Sequence, residues 1–149
     1  MSPAVVDGEL RMTVDELNEF LAGAFPGNPR VYRVEHSDLD GLRIRLPYSD
    51  LQLRPGGTLS GPTMMGLADG AAWLVTLARI GPVALAVTSN LNMSFLRKPG
   101  PVDLLAHATL LRLGRRQSVS EVRLWSEGGD PAEPVAFATI TYAIPASTD

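Results

Sequence analysis

The 149-residue chain contains no cysteine. That removes disulfides, thiolate metal sites and cysteine nucleophiles together, and it fits a reducing, cytoplasmic setting. Histidine is nearly as scarce, with only His36 and His107 present. No metal centre built on several imidazoles is expected, and a Ser-His-Asp triad would have to recruit one of the two. A long uninterrupted apolar run is also lacking. The stretch from Pro62 to Val87 comes closest, but Asp69, Arg79 and Pro82 break it. A membrane-spanning helix needs roughly 20 mostly apolar residues, so no membrane association is expected. Met1 to Glu9 carries acids and no basic, apolar run, unlike a signal peptide. Excess positive charge is missing too: the net charge of −3 speaks against nucleic acid as a partner.

What is present is the balance of a globular protein, 45% hydrophobic and 19% charged. The length suits a single domain over residues 1–149, with residues 1–27 as an N-terminal helical extension. Charge is unevenly spread. Residues 79–116 hold Arg79, Arg97, Lys98, Arg112, Arg115 and Arg116 against Asp103 alone. One basic stretch in an acidic chain suits either a small polyanionic ligand or a solvated basic face.

The pattern along the chain predicts a helix, two strands, a long helix, then four strands. Thr13 before Val14-Asp15-Glu16 is a capping-box pattern, followed by Leu17, Phe20 and Leu21 at helical spacing. This first helix runs from Val14 to about Ala24 and ends at Pro26-Gly27. Arg30–His36 and Gly41–Pro47 read as strands joined by a turn, and Tyr48–Gly61 as a loop. The segment Pro62–Ile80 reads as a helix apolar nearly all round, with Ser60 or Gly61 as N-cap and Gly81-Pro82 as stop. From Val83 the period becomes two. Leu85, Val87, Ser89, Leu91, Met93 and Phe95 fall on one face, Thr88, Asn90, Asn92 and Ser94 on the other. Val102–Leu113, Arg115–Ser126 and Pro134–Ile144 read as further strands. Short turns between consecutive strands imply an antiparallel sheet. The resulting class is α+β, a curved sheet wrapped around a central helix.

Asp69 is the anomaly. A carboxylate in so apolar a helix is costly unless it is paired, hydrogen-bonded or facing a cleft. It is either a base in a site or a buried acceptor for a neighbouring loop. The glycine-rich run Arg54–Gly61 leads into the helix N-terminus, where unpaired N–H groups could hold an oxyanion at Gly61. Arg97-Lys98 after one strand and Arg115-Arg116 at a hairpin turn could grip phosphates. His36 and His107 lie on strands without metal-ligand spacing.

Together, Gly57-Thr58-Leu59-Ser60-Gly61, Leu67-Ala68-Asp69, the strand from Thr88 to Leu96 with Arg97-Lys98-Pro99 after it, Leu113-Gly114-Arg115-Arg116 and the strand Val135-Ala136 to Tyr142 resemble the PaaI-type hotdog thioesterases. About two thirds of the chain is covered. Relatives commonly carry His-Gly-Gly where this chain has Ser60-Gly61-Pro62, with the catalytic Asp nine residues after the histidine. Asp69 holds that register.

The resemblance implies a hotdog fold and cofactor-free hydrolysis of an acyl-CoA thioester. Asp69 would be base or nucleophile, and Gly61 the oxyanion donor. Ser60 and Arg54 would stand at positions used for catalysis, and an arginine there would suit a carboxylated acyl group. Asn90, Arg97, Lys98, Pro99, Arg115 and Arg116 would meet CoA. It further implies a homodimer or homotetramer with each site at a subunit interface. Pro62 lacks the N–H of the glycine it replaces, and Trp73 stands where some relatives carry a hydroxyl. Two alternatives remain at this level: a non-catalytic hotdog protein binding acyl-CoA or another apolar ligand, and a hydratase or dehydratase in which His107 would join Asp69.

Overall fold

The computed structural model describes residues 9–27, 32–49, 53–56 and 58–146. Arg30 and Val31 of the first expected strand, and the side chain of Arg54, lie outside the described residues. Helix α1 (Val14–Ala24) opens with the expected capping box. The Thr13 hydroxyl accepts from the Glu16 N–H at 3.1 Å, and the Glu16 carboxylate accepts from the Thr13 N–H at 2.9 Å. Such a cap is worth about 1 kcal/mol. Leu17 and Leu21 form the buried stripe of α1.

Strands β1 (Arg33–Asp38) and β2 (Gly41–Leu46) make the expected hairpin. The segment expected to be plain loop contains a short ladder, β3 (Leu53–Arg54) with β4 (Thr58–Leu59). Helix α2 spans Gly61–Ile80, with Ser60 as its N-cap and Gly81 as its C-cap. Strands β5 (Val87–Phe95), β6 (Leu104–Leu113), β7 (Gln117–Ser126) and β8 (Ala136–Ala143) follow. β5 begins later than Val83 because the chain first turns there, the Ala86 N–H bonding the Val83 carbonyl at 3.1 Å.

The six long strands form one antiparallel sheet in the order β1-β2-β6-β7-β8-β5. Its inner face, including Ile44, Ala106, Val122, Leu124, Ala138 and Ile140, is buried against α2. Ala68, Ala71, Ala72 and Ala78 let the sheet come close, and Leu67, Leu74 and Leu77 fill the remaining space. Each fully buried leucine contributes about 1.5–3 kcal/mol. Thr76, also buried, is satisfied locally: its hydroxyl lies 2.8 Å from the Ala72 carbonyl and 2.7 Å from the Ser118 hydroxyl. The expected curved sheet around a central helix is therefore observed.

Two features shape the site. First, a bulge at Ser89 shifts the register of β5 against β8: Thr88 pairs with Tyr142, but Asn90 pairs with Thr141. The extra residue reverses the alternation. Thr88 therefore joins the inner face with Leu91 and Met93, correcting the expected grouping of Thr88 with Asn90. Second, the two sheet edges differ. On β1, the Asn18 amide bonds both the N–H and the C=O of Val34, at 2.8 and 3.0 Å. β5 at the other edge pairs with β8 on one side, has no strand on its outer side among the described residues, and carries neither charge nor proline.

On the outer face, Arg45 bridges Glu35 at 2.6 Å, Asp103 at 3.0 Å and Glu127 at 3.3 Å. Burial would raise the Glu35 pKa, but bonds and charge from Arg45 and Arg43 outweigh it and hold it below 4.5. Asp103 is held low by the Tyr48 N–H at 2.8 Å and by Arg45, against the opposing effect of burial. Both folded pKa values are depressed. The stability they contribute is thus full above about pH 4.5 and is lost as the pH falls through the lowered values. Arg45→Met is expected to lower stability at pH 7 and to shrink the further loss between pH 7 and pH 3, as read from urea midpoints at the two pH values.

Candidate functional site

Asp69 lies half-buried on the side of α2 that faces β5 and β8. The Thr88 hydroxyl donates to its Oδ1 at 2.6 Å, and the Tyr142 hydroxyl donates to the same oxygen at 2.9 Å. Tyr142 also lies 3.2 Å from the Asp69 carbonyl oxygen. Burial first, with the charge of Asp69 added, raises the Tyr142 phenol well above its ordinary value, so it remains a donor. Oδ1 thus carries two bonds, whereas Oδ2 has none to a described residue. One oxygen fixes the carboxylate and the other is left for chemistry, as a base or a nucleophile needs.

The cleft beside Asp69 has a volume of about 450 Å³ and is lined by Phe25, Tyr32, Trp73, Ala86, Thr88 and Tyr142 among others. Its far wall is aromatic. Trp73 meets Phe20 at 5.5 Å and Phe25 edge-on at 6.1 Å, which docks the end of α1 against the site. The Trp73 Nε1 is buried and has no hydrogen-bond partner among the described residues. Tyr32 lies over Gly70, where an added Cβ would collide with its ring and hydroxyl. Burial and then the Asp69 charge push the Tyr32 pKa up to about 12.

The remaining expected site residues are spread out. Ser60 is engaged as the N-cap: its Oγ accepts from the Thr63 N–H at 3.2 Å and sits 2.8 Å from the Thr63 hydroxyl. Gly61 opens α2 and lies against Phe95, its would-be Cβ 3.7 Å from the ring. Eight helical steps separate Gly61 from Asp69, roughly 12 Å along the axis. Within one chain they do not converge. Arg54 pairs through its backbone with Thr58. Asn90 pairs with Thr141 and faces away from Asp69, on the outer side of the bulge.

Arg97 and Lys98 are exposed beyond the Phe95 end of β5, and the Arg97 guanidinium donates to the Pro134 carbonyl at 2.8 Å. Pro99 is buried. Arg115 and Arg116 are exposed at the opposite end of the sheet, where Ile144 N–H meets the Arg116 carbonyl. The two basic pairs therefore do not meet in a single chain. His107 pairs with Arg43 and Arg123 on the outer face, across the sheet from Asp69. That separates it from the partnership a hydratase would need. Among the described residues, no group of three His, Cys, Asp or Glu side chains could hold a metal ion, and no helix is long and apolar enough to cross a membrane.

Sequence reasoning missed Tyr32 and Tyr142 altogether and placed Thr88 on the wrong face. A half-buried carboxylate does require donors. Which hydroxyls serve it depends on a bulge and a strand order that no local pattern displays.

Comparison with known proteins agrees with this fold. Residues 56–133 match the model of the thioesterase superfamily. A Halobacterium salinarum protein named as a candidate esterase is 32% identical over 111 residues, covering 70% of this chain and 73% of its own length. The crystal structure of a candidate thioesterase from Silicibacter sp. TM1040 is 39% identical, with a TM-score of 0.84 and coverage of 94% and 96% of the two chains. A Ralstonia eutropha JMP134 candidate thioesterase, described as phenylacetic acid degradation-related, is 27% identical with a TM-score of 0.71, covering 86% of this chain and 98% of that one. The chain belongs to the thioesterase superfamily, with the hotdog fold, and so to a class of thioester hydrolases.

The seating of Tyr32 on Gly70 can be weighed directly. Gly70→Ala is expected to destabilise by about 1–3 kcal/mol, because the ring must be displaced. Gly23→Ala in α1, with nothing within 4 Å of its would-be Cβ, should be neutral or stabilise by up to about 1 kcal/mol. Guanidinium unfolding of both variants against the parent measures the contrast.

Proposed function

We propose that the protein hydrolyses an acyl-CoA thioester to the free acid and CoA, with Asp69 as the catalytic carboxylate and no cofactor. The observation that carries this reading is the state of Asp69: Oδ1 pinned by Thr88 and Tyr142, Oδ2 open beside an apolar cleft. Oδ2 takes a proton from water, and the resulting hydroxide attacks the thioester carbonyl. The tetrahedral oxyanion then collapses, the carbon–sulfur bond breaks, and the proton passes to the departing CoA thiolate.

The site is completed by a second copy of the chain. Thr88, near one end of β5, touches Asp69, and Phe95, at the other end, lies against Gly61. β5 is the bare edge, and the largely exposed Val87, Phe95 and Leu96 lie on or just beyond it. An uncharged edge nine residues long is a ready template for pairing. Two β5 strands pairing antiparallel about a two-fold axis bring the Phe95 end of one beside the Thr88 end of the other. The N–H of Gly61 of the partner subunit then approaches Asp69 as oxyanion donor. The same pairing brings the partner's Arg97 and the partner's Lys98 toward the cleft, to meet the CoA phosphates alongside Arg115 and Arg116. Capping by Ser60 keeps the helix N-terminus in place for this role.

Thiol release from aliphatic and aromatic acyl-CoAs tests the chemistry. Asp69→Asn, folded as judged by circular dichroism, should lose at least about a hundredfold in kcat. A parent protein that binds acyl-CoA but never releases thiol would instead be the non-catalytic binder. The shared site has its own test. Gly61→Pro removes the N–H at a position where helices tolerate proline. Gly61→Pro and Asp69→Asn chains, each inactive alone, should regain activity when co-expressed, because a mixed dimer holds one intact site. No recovery in purified mixed dimers would contradict the two-chain arrangement.

A further inference from the structure

Tyr32 lies outside the residues matched by the family model, yet it lines the same cleft as Asp69. Four side chains that line this cleft carry polar hydrogens. The hydroxyls of Thr88 and Tyr142 are both spent on Asp69 Oδ1. The Trp73 Nε1 is sealed from solvent. The Tyr32 hydroxyl has no hydrogen-bond partner among the described residues. Among the described residues it is therefore the uncommitted side-chain donor, in a lining whose other members beside Asp69 and its two donors are ring faces, glycines, alanines and Val87.

Its position is fixed by packing. The ring is seated on Gly70, the residue after Asp69, and no other side chain could occupy position 70 without displacing it. The cleft continues from Asp69 past Gly70 toward Trp73 and Phe25. An acyl chain whose carbonyl rests at Asp69 and which runs toward Trp73 and Phe25 passes the phenol seated on Gly70. Burial and the neighbouring carboxylate keep that phenol protonated throughout the physiological range.

We infer that Tyr32 is a specificity-determining residue that donates a hydrogen bond to an acceptor oxygen on the acyl group, so that acyl chains oxygenated near the thioester are preferred over plain alkyl chains. This rests on the acyl-CoA reading above. A plain alkyl chain would cover the phenol and leave it unpaired, at a cost an oxygenated chain avoids. The contribution is that of one neutral hydrogen bond, about three- to tenfold in kcat/KM.

The test compares 3-hydroxybutanoyl-CoA with butanoyl-CoA in the parent and in Tyr32→Phe, which keeps the ring on Gly70. The quantity read is the ratio of the two kcat/KM values, from which intrinsic reactivity cancels between proteins. The ratio should fall about three- to tenfold in the variant. An unchanged ratio, including an equal loss on both substrates, overturns the assignment. The S-alkyl thioethers S-(3-hydroxybutyl)-CoA and S-butyl-CoA repeat the comparison by calorimetric binding, without chemistry. Parent protein that binds the two thioethers equally also overturns it. Discrimination in binding that is lost in Tyr32→Phe, with no thiol release from any substrate, would support the role of Tyr32 while removing the hydrolase reading.

Discussion

The charge of Asp69 has to be accommodated between a helix and a sheet whose facing surfaces are otherwise apolar, and much of the structure around it follows from how that is done. A desolvated carboxylate is tolerated when donors reach it. Thr88 and Tyr142 supply them from adjacent strands, converging on one oxygen. The arrangement depends on the bulge at Ser89. Without the extra residue, either Thr88 or the apolar Leu91 and Met93 would turn away from α2. The irregularity lets one strand present a hydroxyl to the carboxylate and then return to packing against the core.

The same helix carries both residues on which the proposed site depends. Gly61 and Asp69 share α2 but lie about two turns apart. β5 runs alongside, touching Asp69 through Thr88 and Gly61 through Phe95. In the proposed two-chain site Gly61 and Asp69 would serve from different subunits, since they lie too far apart to act together within one. The contrast between the sheet edges bears on this: Asn18 covers β1 with backbone-like hydrogen bonds, while β5 carries no charge and no cover among the described residues. Under the proposed function, pairing of two such edges would satisfy the exposed backbone and bring Gly61 of the partner subunit to Asp69.

The N-terminal segment does more than shield the core. Phe20 and Phe25 of α1 and its C-cap close the aromatic wall on Trp73, and Tyr32 crosses above Gly70. These residues precede the stretch shared with the superfamily. Asp69 lies within the stretch that the superfamily model matches, and the cleft beside it is partly walled by the sequence before that stretch.

Much was legible locally. The capping box at Thr13, the apolar α2 with its lone Asp69, and the alternation of the later strands follow from propensity, periodicity and the cost of burying charge, all of which act over a few residues. The role of Asp69 as a half-buried carboxylate beside a cleft was therefore open to sequence reasoning. Its partners were not. Thr88 was assigned to the wrong face because a bulge leaves no mark on the alternation. Tyr142 and Tyr32 lie 73 and 37 positions from Asp69, and strand order and packing alone bring them to it. Gly61 is legible in the sequence as the start of a helix, and helical rise alone sets it about two turns from Asp69. The sequence by itself determined the elements and the one costly charge, because those are short-range energetics. The tertiary structure decided which groups satisfy that charge and which edge stays bare, because those depend on contacts between residues far apart in the chain.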